Sequence, residues 1–242
     1  MHPRSLILFI LLSLSAVIPL ATGEAIVPSH SRRFVRYDNC EFVPTAYTDG
    51  DSFRVRIGAE EFVFRLYYVD APESDERFPD RNAEQVRYFG IMPAESLAAG
   101  SAAKEYVREL LTGKKFTVFT RWASALESSR LPRYYAIVEL EGRGLAELLV
   151  ENGFARLHGI SVIHPNGTKA DAYIVMLSGL ERSAKANGAG AWANSRPDSQ
   201  QLTVEETGEP WEMPRWVERT IFAGIGGFVV GGAWLLTAIV RR

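Results

Sequence analysis

Apolar residues are concentrated at the two ends of the chain. Residues 5–22 form an uncharged, strongly apolar stretch that follows His2 and Arg4 and ends beside the small residue Gly23. This arrangement is typical of a secretory signal peptide, so we predict that residues 1–23 are removed on export. An uncleaved N-terminal anchor is the alternative interpretation.

A second uncharged stretch, residues 220–240, is long enough to cross a bilayer as a single helix. Two tryptophans precede it, and two arginines at 241–242 follow it as a positive cytoplasmic end. We therefore predict an exported protein held in the membrane by this helix with its main domain outside, or a secreted protein if the tail is processed. A homodimer is possible, because small residues recur every fourth position in the stretch. These residues are Ala223, Gly227 and Gly231.

Between these ends, the pattern predicts an α+β domain over residues 34–194, flanked by a leader (24–33) and a polar linker (195–219). Apolar and polar residues alternate over 52–57, which indicates a half-buried strand, and residues 62–69 form the returning strand of a hairpin. A hairpin followed by a helix, more strands and more helices favours a small closed barrel with helices packed on its side. The remaining predicted elements are strands at 115–122 and 134–139 and helices at 93–112, 144–152 and 169–186.

The composition is that of a folded protein and restricts the kind of site. Of 242 residues, 47% are apolar and 23% charged, which excludes a disordered chain. The single cysteine, Cys40, allows no internal disulfide, and we expect its thiol to be buried in or near the first strand. The formal charge of -2 lacks the positive excess that steers proteins onto nucleic acid. Any phosphate binding must therefore depend on particular arginines or on a metal ion.

Acidic residues flank the predicted hairpin. Antiparallel pairing about its turn is expected to place Asp51 and Asp70 together at its open end, where two carboxylates share a proton or bind a cation. With Glu73 nearby and no histidine or cysteine at ligand spacing, an oxygen-only set favours a hard ion such as calcium. Arg65, within an apolar strand, is either a structural ion pair or a phosphate ligand. The alternative is that these acids only belong to ordinary turns.

Two runs of residues identify a family resemblance. Asp49-Gly50-Asp51-Ser52 and the stretch from Phe64 to Glu73, with its sequence FRLYYVDAPE, resemble the staphylococcal nuclease (thermonuclease) family. The similarity covers residues 42–192. It implies a five-stranded OB-fold barrel with three packed helices.

The resemblance also implies a metal centre. It places calcium between the carboxylates of Asp51 and Asp70, with the backbone carbonyl of Ala71 as a further ligand. Asp49 is implied to lie close to the metal without binding it.

Three residues are implied to be catalytic. The resemblance makes Glu73 the group that orients and deprotonates the attacking water, and it makes Arg65 and Arg133 the arginines that bind the scissile phosphate. The expected activity is calcium-dependent hydrolysis of DNA and RNA. Pro132 and Tyr134 flank Arg133 where relatives often have glycines, so this loop is expected to be stiffer.

Two other functions compete with a nuclease. The acidic balance, and the lack of nucleotide-packing tyrosines in residues 157–160, also fit a noncatalytic OB-fold module that binds nucleic acid or another polyanion at the membrane surface. The second of these functions is a membrane scaffold that uses the barrel only for protein contacts. The segment 74–92 is expected to be a long loop beside the site, which either shapes substrate access or has no function.

Overall fold

The computed structural model describes residues 25–46, 48–125 and 132–196. The predicted signal peptide and the predicted membrane-spanning stretch at 220–240 lie outside these ranges. Within them, no helix combines the length and the apolar character needed to cross a membrane.

Eight strands and four α-helices make up the described part of the chain. The strands are β1 (Val35–Val43), β2 (Ser52–Ile57), β3 (Glu60–Leu66), β4 (Val69–Asp70), β5 (Phe116–Ser124), β6 (Arg133–Leu140), β7 (Arg143–Gly144) and β8 (Arg156–Leu157). The helices are α1 (Pro79–Phe89), α2 (Pro93–Leu111), α3 (Leu145–Glu151) and α4 (Ala170–Ala186), followed by a 3-10 helix, Gly190–Asn194.

The five long strands close into a barrel. They follow the order β3-β2-β1-β5-β6 with antiparallel neighbours, and β3 and β6 then pair in parallel, which joins the two ends of the sheet. The predicted α+β class is confirmed, and the closed sheet is consistent with the OB-fold barrel that the resemblance implied.

Side chains from alternate strand positions fill the barrel, and helices cover it. In β5, buried and half-buried positions alternate from Phe116 to Trp122, as a strand with one face on the core requires. Cys40 on β1 is buried in the same core, as the sequence predicted. The helices add fully buried side chains to it, which are Val107, Leu111, Leu145, Leu149, Val150 and Leu177.

The predicted second strand of the hairpin is too long. In the ladder Ser52 pairs with Arg65 and Phe53 with Phe64, so β3 ends at Leu66 rather than at residue 69. The chain then bends at Tyr68, which has a φ of 73°, and continues as β4, which pairs with β8. The prediction that Asp70 stands opposite Asp51 at the open end of the hairpin is therefore wrong. Asp70 reaches the site through the bend at Tyr68.

The segment 74–92, which was predicted to be a loop, contains helix α1. Helix α1 begins at Pro79, whose missing N–H and fixed φ suit the first turn, and ends at Gly90 in the left-handed conformation. Phe89 packs on Trp192, with ring centroids 4.7 Å apart. The described residues thus contain four α-helices where three were predicted, and the additional one borders the acidic residues.

Candidate active site

Asp51, Arg65 and Asp70 meet at one edge of the barrel. Arg65 is the partner of Ser52 in the β2–β3 ladder, and the next N–H, that of Leu66, donates to the carbonyl oxygen of Asp51. The bend after β3 then brings Asp70 back toward the same place. One nitrogen of Arg65, Nη2, lies 3.0 Å from Oδ2 of Asp51 and 2.9 Å from Oδ1 of Asp70. The structure therefore brings together three predicted site residues through one guanidinium group.

Asp70 is the most heavily paired acid of the site. Arg81 Nη2 lies 2.6 Å from its Oδ1, and Arg156 Nε lies 2.9 Å from its Oδ2, in addition to the contact with Arg65. Burial of this carboxylate, which is 1% exposed, favours the neutral acid. The charges of Arg156, Arg81 and Arg65 outweigh that effect and lower the pKa of Asp70 to about 2. Asp70 is therefore ionised over the whole neutral range.

Glu73 lies three residues after Asp70 and is less well paired. Its Oε1 is 2.8 Å from Arg81 Nη1, but the geometry is not that of a hydrogen bond, and this buried oxygen has no hydrogen-bond partner among the described residues. Burial raises the pKa of Glu73; Arg81 opposes this effect, and the negative charge of Asp51 adds to it. The Glu73 carboxylate is consequently more basic than an ordinary glutamate.

Asp49 adds a fourth carboxylate on the same side. Its Oδ1 accepts a hydrogen bond of 2.9 Å from the N–H of Gly50. Burial, together with the negative charges of Asp51 and Glu73, raises the pKa of Asp49 to about 8. The raised pKa values of Asp49 and Glu73 thus have two causes, which are burial in the first place and the neighbouring negative charges in addition.

The donor chemistry of the cluster fits a hard cation. Asp51, Asp70 and the carbonyl oxygen of Ala71 offer only oxygen ligands, and a cation beside them would favour the ionised forms of Asp49 and Glu73. In residues 25–46, 48–125 and 132–196, however, no three acidic, histidine or cysteine side chains are already arranged as a metal site. Arg65 instead bridges the two aspartates. The structure thus places the implied ligands together and shows a guanidinium balancing their charge.

Arg133 lies beside the cluster and contacts it through a serine. It is the first residue of β6, and its Nη1 is 3.4 Å from Oγ of Ser52, which in turn donates to Asp51 Oδ1 at 3.0 Å. Its buried Nε has no hydrogen-bond partner within the described ranges. Arg133 therefore keeps donor capacity for an anion. The residues just before it, 126–131, lie outside the described part of the chain.

Glycines allow the loops with the acidic residues to pack against α2. A Cβ atom at Gly50 would lie 2.7 Å from Cβ of Ala71 and 2.9 Å from that of Ala103. A Cβ atom at Gly100 would overlap with the carbonyl oxygens of Pro72 and Glu73. Because real Cβ atoms do not approach so closely, these two positions require glycine for the observed packing.

Sequence reasoning missed three residues of the site. Gln85 is fully buried and donates to Asp70 Oδ2 at 2.9 Å, while Arg81 and Arg156 contact the same carboxylate. Arg81 and Gln85 are four residues apart on α1 and so share a face, a signal that is visible only once the helix is recognised. Arg156 stands opposite Asp70 in the β4–β8 pair, and no local pattern in the sequence indicates that pairing.

A closed barrel with carboxylates and arginines gathered at one edge defines an OB-type domain with a site suited to phosphate chemistry. The family model described as staphylococcal nuclease homologue matches residues 63–194, which is more than half of the chain. The chain belongs to this family, as its motifs predicted, and membership indicates a nuclease-type or nucleic-acid-binding function. The match includes Arg65, Asp70 and Glu73, whereas Asp51 precedes it and is placed in the site by geometry. The comparison with curated proteins finds no match.

Proposed function

We propose that the protein hydrolyses phosphodiester bonds in DNA and RNA in a calcium-dependent reaction. The observation that supports this most strongly is that Asp51 at the start of β2 meets Arg65, Asp70 and Glu73 from the 64–73 run, with Arg133 of β6 one hydroxyl group away. Oxygen ligands gathered beside Arg65, and beside Arg133 with its unpartnered Nε, suit a reaction in which a cation and a phosphate bind side by side.

The proposed calcium ligands are the carboxylates of Asp51 and Asp70 and the carbonyl oxygen of Ala71. A bound calcium ion would supply positive charge next to the phosphoryl oxygens. Arg65 and Arg133 would donate to the phosphate, with Arg65 exchanging its aspartate partners for the phosphate oxygens. Guanidinium groups held in place in this way stabilise the charge that grows on the phosphoryl group in the transition state.

Glu73 is the proposed general base. Its raised pKa, caused mainly by burial, makes its carboxylate a better proton acceptor than an exposed glutamate. The carboxylate would take a proton from a water molecule as the water oxygen bonds to phosphorus. The bond from phosphorus to the leaving oxygen breaks in the same reaction, and that oxygen then takes up a proton. A positioned base of this kind typically contributes about 10² to 10⁴ in rate.

The test is cleavage of single-stranded DNA and of RNA by the purified full chain, with calcium and then with a chelator. We expect cleavage only with calcium, and a loss of about 10² to 10⁴ in kcat for Glu73→Gln. Glu76→Gln makes the same chemical change at an exposed position three residues further on, and it should cleave like the wild type. Equal cleavage by Glu73→Gln, or by wild-type protein in chelator, would contradict the proposal.

A second candidate function is a noncatalytic module that binds nucleic acid. The observation in its favour is that Arg65 pairs with Asp51 and Asp70, and Arg81 with Asp70 and Glu73, so that the acids already have cationic partners. A module of this kind would bind an oligonucleotide without cleaving it, with or without calcium, and Glu73→Gln would change nothing. The same experiment therefore separates the two functions.

We further propose that the domain acts outside the cytoplasm and is anchored by residues 220–240. The support for this is the charge and hydropathy pattern at the two ends of the chain. Alkaline extraction of membranes should leave the full chain in the pellet and release a chain that ends at residue 219. Release of both chains would contradict the anchor.

A further inference from the structure

We propose that Gln85 on α1 is a positioning residue that holds Asp70, Ala71 and Glu73 in their relative arrangement. The inference rests on the proposed function, because it assigns Gln85 to the same site. Gln85 is fully buried, although glutamine is rarely so, and it lies in the segment 74–92, whose function the sequence left open.

The Gln85 amide uses its donors and its acceptor on these three residues. Nε2 donates to Oδ2 of Asp70 at 2.9 Å and to the carbonyl oxygen of Ala71 at 2.9 Å. Oε1 accepts from the N–H of Glu73 at 2.8 Å. One side chain thus fixes the orientation of a carboxylate, a carbonyl group and the backbone that carries Glu73. Two of these groups are among the three proposed calcium ligands, and the third belongs to the backbone of the proposed base.

The chemistry of the position is specific for an amide. Two of the partners of Gln85 are acceptors and the third is a donor, so the side chain must present both an NH₂ group and an oxygen. A glutamate would place a second carboxylate oxygen against Asp70 and the carbonyl oxygen of Ala71, which is repulsive. A methionine would fill the same space and leave the buried N–H of Glu73 and the carbonyl oxygen of Ala71 without this partner, which costs free energy.

Helix α1 holds Gln85 rigidly. The helix begins at Pro79 and ends at the left-handed Gly90, and Phe89 packs in a buried cluster with Trp192. Residues that hydrogen-bond to metal ligands and so orient them typically contribute a factor of about 10 to 100 to metal affinity or activity. We therefore expect Gln85 to affect calcium affinity and kcat, and to have little effect on KM, because its amide hydrogen-bonds to Asp70, Ala71 and Glu73 and not to the proposed phosphate-binding arginines.

The experiment compares Gln85→Met and Gln85→Glu with the wild-type full chain. Calcium affinity is measured by calorimetric titration in the absence of substrate, and kcat and KM are measured on single-stranded DNA at saturating calcium. We expect Gln85→Met to bind calcium about 10 to 100 times more weakly and to lose a similar factor in kcat, with KM within about twofold. Gln85→Glu should also lose kcat, because it keeps the shape of the side chain but not the two donors.

A variant that is destabilised elsewhere is the matched control. Leu177→Ala removes buried volume from α4 and lowers the melting temperature, and it should leave calcium affinity and kcat unchanged. Unchanged calcium affinity and kcat in Gln85→Met would overturn the proposal, as would the same loss in Leu177→Ala. If the wild type itself neither binds calcium nor cleaves, the proposed function fails and this inference fails with it. If the wild type does both and Gln85→Met matches it, only this inference fails.

Discussion

At the scale of single residues, two aspartates of one cluster have pKa values that move in opposite directions. Asp70 is buried among three arginines, and their charges lower its pKa. Among the described residues, Asp49 forms no ion pair with an arginine. Burial, together with the negative charges of Asp51 and Glu73, raises its pKa. Burial by itself therefore does not decide the state of an acid in this site. Three guanidinium groups outweigh burial at Asp70, whereas the single contact with Arg81 does not outweigh it at Glu73.

The raised pKa of Asp49 predicts how stability depends on pH. Between about pH 4 and pH 8 the unfolded chain has released the Asp49 proton and the folded protein still holds it, so folding stability falls as pH rises through this range. Asparagine cannot ionise, and Asp49→Asn should remove this loss. Without calcium, we expect the variant to gain on the order of 1 kcal/mol relative to the wild type for each pH unit between pH 5 and pH 8. Urea unfolding of both proteins at several pH values measures this difference in the free energy of unfolding.

Asp38→Asn is the control for this prediction. Hydrogen bonds from Thr117 and Arg36 lower the pKa of Asp38, so this carboxylate is ionised in both the folded and the unfolded chain above pH 5. The difference in stability between Asp38→Asn and the wild type should accordingly stay constant from pH 5 to pH 8. A difference for Asp49→Asn that is equally constant would refute the assignment of a raised pKa to Asp49.

At the scale of elements, the pattern predicted the barrel strands β2, β3, β5 and β6, but it predicted no strand over β1 and no helix over α1. Strand β2 alternates apolar and polar residues because one of its faces lies on the core, and this alternation is visible in the sequence. Helix α1 has the sequence PDRNAEQVRYF, whose polar residues outnumber its apolar ones. Its buried face consists of Gln85 and Phe89, and a buried glutamine gives no apolar periodicity. The contacts that bury it come from elsewhere in the chain.

The hairpin, too, could be predicted only in part from the sequence. Its turn was predicted correctly within residues 58–61. The bend at Tyr68 was not predicted, because a tyrosine with positive φ is uncommon and no glycine or proline beside it indicates a bend. The structure explains the bend by what surrounds it. The N–H of Tyr68 donates to the carbonyl oxygen of Ile160, and its carbonyl oxygen accepts from the N–H of His158. A distant loop thus sets the position of Asp70.

Helix α2 supports the loop of Glu73 through Gly100, and this leads to a prediction. In an ordinary helix interior, Gly→Ala stabilises by about 0.5 to 1 kcal/mol. At Gly100 the new Cβ atom would overlap with backbone carbonyls of Pro72 and Glu73, which cannot move aside as a flexible side chain could. Gly100→Ala should therefore lower the melting temperature and also reduce kcat on single-stranded DNA, because the backbone of Glu73 must shift.

Gly179→Ala on α4 is the matched control, since a Cβ atom there would contact only the end of the Arg182 side chain, at 3.9 Å. This variant should raise the melting temperature slightly and leave kcat unchanged. Thermal unfolding and kinetics on both variants provide the comparison. A stabilised Gly100→Ala variant with wild-type kcat would show that the contact between α2 and the Glu73 loop is not needed for activity.

At the scale of the whole molecule, the motifs predicted that their own charged residues lie together, but they did not predict the residues that balance those charges. The run from Phe64 to Glu73 contains Arg65, Asp70 and Glu73 at fixed spacing, and the structure brings them together. Arg156 reaches the site from β8, almost ninety residues later, and only the folded chain shows that it neutralises Asp70. Local spacing encodes ligands that are close in sequence, whereas the counter-charges depend on the closure of the fold.

The charge balance of the folded molecule predicts that calcium stabilises it. A cation that binds the folded protein and not the unfolded chain adds about 1.4 kcal/mol for each tenfold increase in concentration above its Kd. The melting temperature of the full chain should therefore rise with the logarithm of calcium concentration. Asp51→Asn removes one proposed ligand and should abolish or strongly reduce this rise, whereas Asp171→Asn, at the exposed start of α4, should keep it. A melting temperature that does not respond to calcium in the wild type, or that responds equally in Asp51→Asn, would show that this cluster is balanced by its arginines and binds no calcium.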